Sequence, residues 1–334
     1  MKPLPIPVEV ACATADDFIN QLHHERWRPP GGQWASPWVF RGQRLASWPL
    51  TAPAWRTDTQ LSQFITRLRN LRYNSVADSA HGHFKSIGLE EQAYQWTIAW
   101  AQARAESELI HDFLSMAEEL AYPAAEDKAT VLAAYENYPK TIQQAQEWSF
   151  APAPSSLTVL AQHYGIPTRG MDWSRSPLIA ALFAARSVLP EATHKLAVWA
   201  ADTTRLRAPL GRPDIGTFVP FASGWHTNKN LVAQQALVLH PANACSVYLH
   251  TGHWPSIEAT AHTHQSADDD GPLIQFTLPH SQVGGLLRFL WSAGVSSAHV
   301  FPSLDSVASA LAQRWAWQHA GDPYLGLRQP GATS

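Results

Sequence analysis

The segment LAQHYGIPTRGMDWSRSPL, Leu160 to Leu178, changes its predicted secondary structure twice within a short distance. A helix ends near Gly165, the sequence GIPT turns the chain, and a strand follows at Thr168–Trp173. Ser176 then provides a helix cap, and Pro177 suits the first helical position because the N–H that it lacks needs no partner there. The segment therefore predicts a short strand that leads directly into a helix. Joints of this kind often carry functional side chains.

This joint also holds the densest group of candidate functional side chains, which are Gln162, His163, Tyr164, Arg169, Asp172 and Trp173. Two interpretations are open. In the first, these side chains form part of a binding or catalytic site. In the second, Asp172 pairs with Arg169 or caps the following helix, and His163 only satisfies a local carbonyl group.

Upstream, WVFRGQ (Trp38–Gln43) places a single arginine at the end of a run of strand-forming residues. A guanidinium donates two parallel hydrogen bonds to a phosphate, and the glycine that follows would let a ligand approach the backbone. Arg41 is therefore a candidate phosphate-binding residue, with Arg56 and Arg169 as candidates to complete a pyrophosphate site. The alternative is a buried structural pair between Arg41 and Asp172.

The rest of the chain divides into a helical part and a part with short strands. TADD (Thr14–Asp17) predicts the start of a first helix, and the apolar stripes of residues 57–150 predict a helical insertion. A last helix is predicted from Leu304 to about His319, and the tail 321–334 is expected to fray. Strands that gather near one end of a helix-rich chain predict the α+β class. Besides the two strands already described, the predicted strands are Leu196–Ala200, Gln235–His240, Ser246–Leu249, Leu273–Leu278 and Ala298–Phe301.

Composition narrows the classes of function. Of the 334 residues, 45% are hydrophobic and 15% are charged, so the chain can bury a full core and is not expected to be disordered. The net charge of −3 argues against a general nucleic-acid binder. The two cysteines make no disulfide framework, and no apolar run approaches the ~18 residues of a membrane span. We therefore expect a cytoplasmic protein in a reducing compartment.

Several familiar catalytic motifs are absent from the sequence. It contains no P-loop, no Rossmann glycine fingerprint, no HExxH and no GxSxG. Residues 262–270 are predicted to form a polar surface loop, and we expect no metal site. The surrounding histidine-rich segment matches no metal-ligand template in its spacing, although it holds His240, His250, His253, His262, His264 and Asp268–Asp270.

Longer stretches of the chain resemble the FRG domain family, which is named for the motif found here at Phe40–Gly42. The matching stretches are WVFRGQ, WPLTAPAWR, LAQHYGIPTRGMDWSRSPLIAALFAA, NLVAQQALVLHP and LLRFLWSAGVSSAHVFPSLDSVASAL. They occur in the family's order and extend from about Val8 to Trp317. The resemblance implies a single FRG-type domain over residues 1–334, with the helical insertion at 57–150 inside it.

The FRG family is itself similar to a distant branch of the ADP-ribosyltransferase fold, a split antiparallel β-sandwich that binds NAD in a cleft. The resemblance therefore implies that NAD is bound as a substrate. The implied NAD-binding residues are Arg41, Gln43, Arg56, Tyr164, Arg169 and Trp173. The implied catalytic residues are His163, Asp172 and Gln234.

The third motif departs from the pattern that this resemblance implies. Gln234 and Ala236 occupy the positions where a glutamate pair is expected, and Asn230 stands where the family tends to carry an arginine. A neutral amide holds a ribose hydroxyl but offers no full negative charge to a developing cation. Asp172 is then a candidate substitute carboxylate.

The expected function is that of an NAD-binding enzyme, an ADP-ribosyltransferase that cleaves the nicotinamide–ribose bond and acts as a toxin or defence effector. One alternative is a catalytically inert nucleotide-binding or sensing module. Another is an NAD glycohydrolase, which uses water as the acceptor. The expected partners are NAD or a related nucleotide and a macromolecular acceptor that the sequence does not identify. Neither a membrane nor nucleic acid in general is an expected partner.

Overall fold

The computed structural model describes residues 8–28, 36–120, 154–186, 188, 193–222, 229–264 and 271–318. The strands in these ranges are β1 Glu9–Ala11, β2 Trp38–Gln43, β3 Met171–Ser174, β4 Lys195–Asp202, β5 Phe218–Phe221, β6 Ala236–Pro241 and β7 Leu273–Pro279. The α-helices are α1 Ala15–Leu22, α2 Gln60–Ser86, α3 Ala93–Glu119, α4 Ser156–His163, α5 Pro177–Ala185, α6 Lys229–Ala233, α7 Ala244–Thr251, α8 Ile257–His262, α9 Val283–Ser292, α10 Ser297–Val300 and α11 Leu304–Gln318. None of these described helices is long and apolar enough to cross a membrane.

The strands form one seven-stranded sheet in the order β1-β7-β4-β2-β3-β6-β5. All neighbouring strands are antiparallel except β1 and β7. Strand β2 pairs with β4 along its whole length, but β2 and β3 are paired only at Phe40 and Ser174. The α+β class is therefore confirmed. The described strands make one open sheet rather than the two layers of a sandwich. Within this sheet, β2 and β3 are held together by a single residue pair.

Apolar clusters cover both faces of this sheet. Because successive side chains of a strand point to opposite faces, Phe40 belongs to one cluster and Val39 to the other. Helices α1, α5 and α9 pack on the Phe40 face. Helix α8 and the loop that contains Leu50 pack on the Val39 face. Among the described residues, helices and loops cover both faces of the sheet and no second sheet is formed.

Gly42 allows helix α5 to lie directly against β2. A Cβ atom at Gly42 would lie 1.9 Å from the carbonyl oxygen of Ala180 and 2.7 Å from the backbone nitrogen of Ala184. The expectation that this glycine admits a ligand is therefore wrong, because a helix fills the space. Helix α5 begins where the sequence predicted, and the Ser176 side chain caps it by accepting a hydrogen bond from the N–H of Ile179.

Helices α2 and α3 form the described part of the predicted helical insertion. They pack against each other, and no strand interrupts residues 57–120. The rest of the insertion, residues 121–150, and the tail 321–334 lie outside the described residues. Helix α3 is attached to the sheet region through Gln102, whose Nε2 donates to the carbonyl of Ala54 at 3.1 Å.

Two predicted strands are helices in the structure. Ser246–Leu249 lies within α7, and Ala298–Phe301 overlaps α10. Helix α7 packs on α3, and Cys245 is the buried residue of that contact, so tertiary packing outweighs the strand propensity of the segment. The apolar face of the last helix is also exposed rather than packed, with 87% of Leu304 and 54% of Trp315 accessible to solvent.

Candidate functional site

Arg41 lies on β2, next to the single residue pair that connects β2 to β3. Its Nη1 donates a hydrogen bond of 2.5 Å to the backbone carbonyl of Asp172. Its Nε is buried and has no hydrogen-bond partner among the described residues. Burial lowers the pKa of Arg41 to about 10, the charge of Asp172 opposes this effect, and the charge of Arg56 adds to it. Arg41 therefore stays cationic at neutral pH, and its Nε–H remains available to donate a hydrogen bond.

The Asp172 carboxyl group is exposed to solvent although protein surrounds it closely. Asp172 is the exposed residue of β3. Burial nevertheless raises its pKa, against the opposing effects of Arg41, the hydrogen bond from Gln162, His163 and Arg56. A carboxylate that is exposed to solvent and yet desolvated by neighbouring protein atoms lies in a partly enclosed part of the surface, which we call the cleft. A carboxylate with a perturbed pKa in such a cleft is a candidate functional group.

Gln162 holds this carboxylate in place. Its Nε2 donates a hydrogen bond of 2.5 Å to Asp172 Oδ1, and its Oε1 accepts one from Thr168 Oγ1. Gly170 leaves room for the arrangement, since a Cβ there would lie 2.4 Å from Val238 Cγ1 and 2.9 Å from Gln162 Oε1. The sequence analysis included Gln162 among the candidate functional side chains but did not predict that it holds Asp172.

His163 and Arg56 complete the polar part of the cleft. His163 Nε2 lies 3.2 Å from the side-chain nitrogen of Asn230, which can only donate, so Nε2 accepts and Nδ1 carries the proton. Burial lowers the pKa of His163, with Asp172 opposing, so the ring is neutral at pH 7. Arg56 Nε donates to the carbonyl of Thr51 at 2.8 Å, and burial lowers the pKa of Arg56.

Tyr164 lies at the rim of the cleft. Its side chain is 66% exposed, and its ring stacks on Phe113 at a centroid distance of 6.2 Å. The Tyr164 and His163 rings are T-shaped to each other, with their centroids 5.5 Å apart. An exposed, partly supported ring of this kind is available to a flat ligand.

Two predicted ligand-binding residues are instead used by the fold. Arg169 is 4% exposed, and its Nε donates to Glu106 Oε2 of α3 at 2.7 Å. Gln43 is 5% exposed, its Nε2 donates to the carbonyl of Pro49 at 3.3 Å, and its Oε1 accepts from Trp199 Nε1 at 2.8 Å. Neither side chain is free to meet a ligand, so the expectation for both is corrected.

Trp173 and Gln234 are also buried and used by the fold. Trp173 is 3% exposed and belongs to the apolar cluster on the Val39 face. Gln234 is 7% exposed, and its Nε2 donates to the carbonyl of Val300 at 3.2 Å. The structure thus brings Arg41, Arg56, His163 and Asp172 together, while the amide of Gln234 serves the contact with α10.

Histidines in the described part of the histidine-rich segment contact backbone carbonyl groups. His250 Nδ1 lies 2.8 Å from the carbonyl of Ser246, and His264 Nε2 lies 2.5 Å from that of Arg207. Among the described residues, no group of three His, Cys, Asp or Glu side chains is placed to hold a metal ion. Asp268–Asp270 lie outside the described residues.

The fold and the site define an α+β protein with a polar cleft where β2 meets β3. The cleft combines two arginines, a carboxylate and a neutral histidine. The family model of the FRG domain matches residues 36–193, a range that includes all four of these side chains. The chain therefore carries an FRG domain, and the resemblance to this family is confirmed. No curated protein and no solved structure matches the chain.

Proposed function

We propose that the protein binds NAD in this cleft, cleaves the nicotinamide–ribose bond and transfers the ADP-ribosyl group to an acceptor. The observation that carries the proposal is the exposed Asp172 carboxylate, which faces Arg41 and Arg56 from the strand opposite β2. The minimal pairing of β2 and β3 supports a likeness to the split sheet of the ADP-ribosyltransferase fold.

The two arginines supply the charge that a dinucleotide needs. Guanidinium groups recognise phosphate through paired, charge-assisted hydrogen bonds. Burial disfavours both charges, as the lowered pKa values of Arg41 and Arg56 indicate. A pyrophosphate between them would offset this cost with charge-assisted hydrogen bonds.

Asp172 supplies the negative charge for the bond cleavage. When the C–N bond breaks, nicotinamide leaves with the electron pair and positive charge develops on the ribose C1′, beside which a fixed carboxylate is stabilising. The acceptor oxygen then bonds to C1′ and its proton passes to Asp172, whose raised pKa makes it a better base than an ordinary aspartate. His163 keeps its Nδ1–H for a hydrogen bond to the ligand, because its Nε2 accepts from Asn230.

Two variants of this function differ in the fate of the ADP-ribosyl group. With water as the acceptor, the same residues make an NAD glycohydrolase. The inert nucleotide-binding module is favoured by one specific observation, the neutral Gln234 in the third motif with its amide bonded to Val300. In that case NAD binds and its glycosidic bond stays intact.

Nicotinamide release from NAD tests the proposal. We expect Asp172→Asn to lower the rate about 10²–10³-fold, the typical loss when one preorganised electrostatic group is removed. Asp214→Asn is the matched control, since this exposed aspartate pairs with Arg212. NAD binding without nicotinamide release in the wild type would refute the enzyme and support the inert module. Labelled NAD separates transfer to protein or small molecules from release of free ADP-ribose.

A further inference from the structure

A second concave surface lies beside the candidate site. It is an open groove of about 600 Å³, which lies within the roughly 300–1,000 Å³ typical of small-molecule pockets. No acidic side chain occurs among its described lining residues. We call it the Arg186 groove, and the lining residues that matter here are Arg186, Asn230, Ser297, Phe301, Ser303 and Ser306.

The guanidinium of Arg186 is oriented by aromatic rings rather than by an acid. It lies over the rings of Phe183 and Phe301, at 4.8 Å from each centroid. Contacts with ring faces fix the plane of a guanidinium but leave its N–H donors unused. Burial lowers the pKa of Arg186, and no nearby charge opposes this effect. In the described part of the chain this cation therefore has donors and no counter-ion.

Hydroxyl groups at the start of α11 face the same groove. Ser303 Oγ accepts a hydrogen bond of 3.2 Å from the N–H of Ser306, so Ser303 caps the helix, and it donates one of 3.0 Å to Ser306 Oγ. The Ser306 hydroxyl is therefore the one that can donate to a ligand. The N-terminal end of a helix favours anions, and serine hydroxyls can donate hydrogen bonds to the oxygen atoms of an anion. Together with Arg186, these groups match the charge and the hydrogen-bonding capacity of a phosphate.

We propose that the Arg186 groove binds the phosphate group of a second substrate, a phosphorylated small molecule that accepts the ADP-ribosyl group. Asn230 connects the two sites, because it lines the groove and its side-chain nitrogen lies 3.2 Å from His163 Nε2. A molecule anchored at Arg186 would extend its hydroxyl group toward Asp172. The acceptor role rests on the proposed function, whereas phosphate binding in the groove stands without it.

Calorimetric titration with inorganic phosphate tests the groove. We expect Arg186→Gln to weaken phosphate binding about tenfold or more, the usual loss for a charge-assisted contact. Arg44→Gln is the matched control, because Arg44 is exposed, lies 5.3 Å from the centroid of the Trp48 ring and is outside the groove. Equal phosphate affinity in the two variants would overturn the proposal.

A second variant adds charge instead of removing it. Ser306→Asp places a carboxylate in the groove at the first turn of α11, where a negative charge is favourable for the helix. We expect it to abolish Arg186-dependent phosphate binding without lowering Tm. Retained phosphate binding in this variant also overturns the proposal.

Titration of phosphate in the presence of NAD tests the acceptor role. Arg186-dependent phosphate binding that persists when NAD is bound supports a second substrate, and competition between the two shows that the groove holds part of NAD itself. The two proposals fail separately. Nicotinamide release without any effect of Arg186 on phosphate binding rejects the groove alone, and phosphate binding at Arg186 without nicotinamide release rejects the transferase.

Discussion

Replacement of Arg41 by glutamine decides whether this residue serves the ligand or the fold. Burial lowers the pKa of Arg41 to about 10, which corresponds to about 3 kcal/mol of unfavourable free energy for its charged form. Its hydrogen bond of 2.5 Å to the carbonyl of Asp172 is charge-assisted and contributes about 1.5–3 kcal/mol. The two effects are of similar size, so Arg41 adds little to the stability of the empty protein.

Glutamine removes the charge and keeps an amide that can donate to the same carbonyl. We expect Arg41→Gln to leave the free energy of unfolding within about 1 kcal/mol of the wild type, or to raise it. The affinity for NAD should fall about ten- to a hundredfold, because the pyrophosphate loses charge-assisted hydrogen bonds. Arg41→Lys should lie between the two proteins in affinity, since an ammonium keeps the charge but not the planar fork.

Chemical denaturation and calorimetric titration with NAD measure the two quantities independently. If Arg41 is instead a structural partner of Asp172, Arg41→Gln strands a desolvated carboxylate and should cost about 3–5 kcal/mol of stability. A loss of that size, with unchanged NAD affinity in Arg41→Lys, would refute the reasoning.

Further substitutions separate structural from functional residues. Burial raises the pKa of Asp172 in the folded protein, so the charged carboxylate destabilises the fold above that pKa. This destabilisation disappears below the pKa of Asp172 in the unfolded chain, where the carboxyl group is protonated in both states. Asp172→Asn should therefore raise Tm at about pH 8 and not at about pH 3. Thermal melts at both pH values check this, and a lower Tm at pH 8 contradicts it. Gly42→Ala should lower the free energy of unfolding, measured in urea, by at least about 1–3 kcal/mol. Gly82→Ala in α2 should raise it by about 0.5–1 kcal/mol, because the added Cβ has no neighbour within 4 Å. Arg169→Met should cost about 3–5 kcal/mol because it leaves Glu106 buried and unpaired; a stable variant with impaired NAD binding would restore Arg169 to the ligand site.

The strand-to-helix joint was predictable because its signals are local. Ser176 and Pro177 act on the turn of helix that they begin, so the start of α5 follows from the sequence without knowledge of the fold. Asp172 was predictable for the same reason, since it stands on the short strand just before this helix. Placing a candidate site between this strand and this helix needed no long-range information.

The errors concern side chains whose partners lie far away in the sequence. Gln43 bonds to Trp199, Arg169 to Glu106 and Gln234 to Val300, and in each case the partner comes from another element. A polar side chain in a motif can serve a ligand or a distant carbonyl, and the two uses look alike in the sequence. Ser246–Leu249 was misassigned for a related reason, because its packing on α3 determines its conformation.

The three residues of the FRG motif have three different roles. Phe40 is 2% exposed and packs in the cluster on one face of the sheet, while Arg41 extends across the joint to Asp172. Gly42 lets α5 lie on β2, and α5 follows β3, the strand that carries Asp172. The close approach at Gly42 therefore also sets how near β3 comes to Arg41. Gly42→Ala should therefore weaken NAD binding in the folded protein as well as stability, although Gly42 itself does not line the polar cleft.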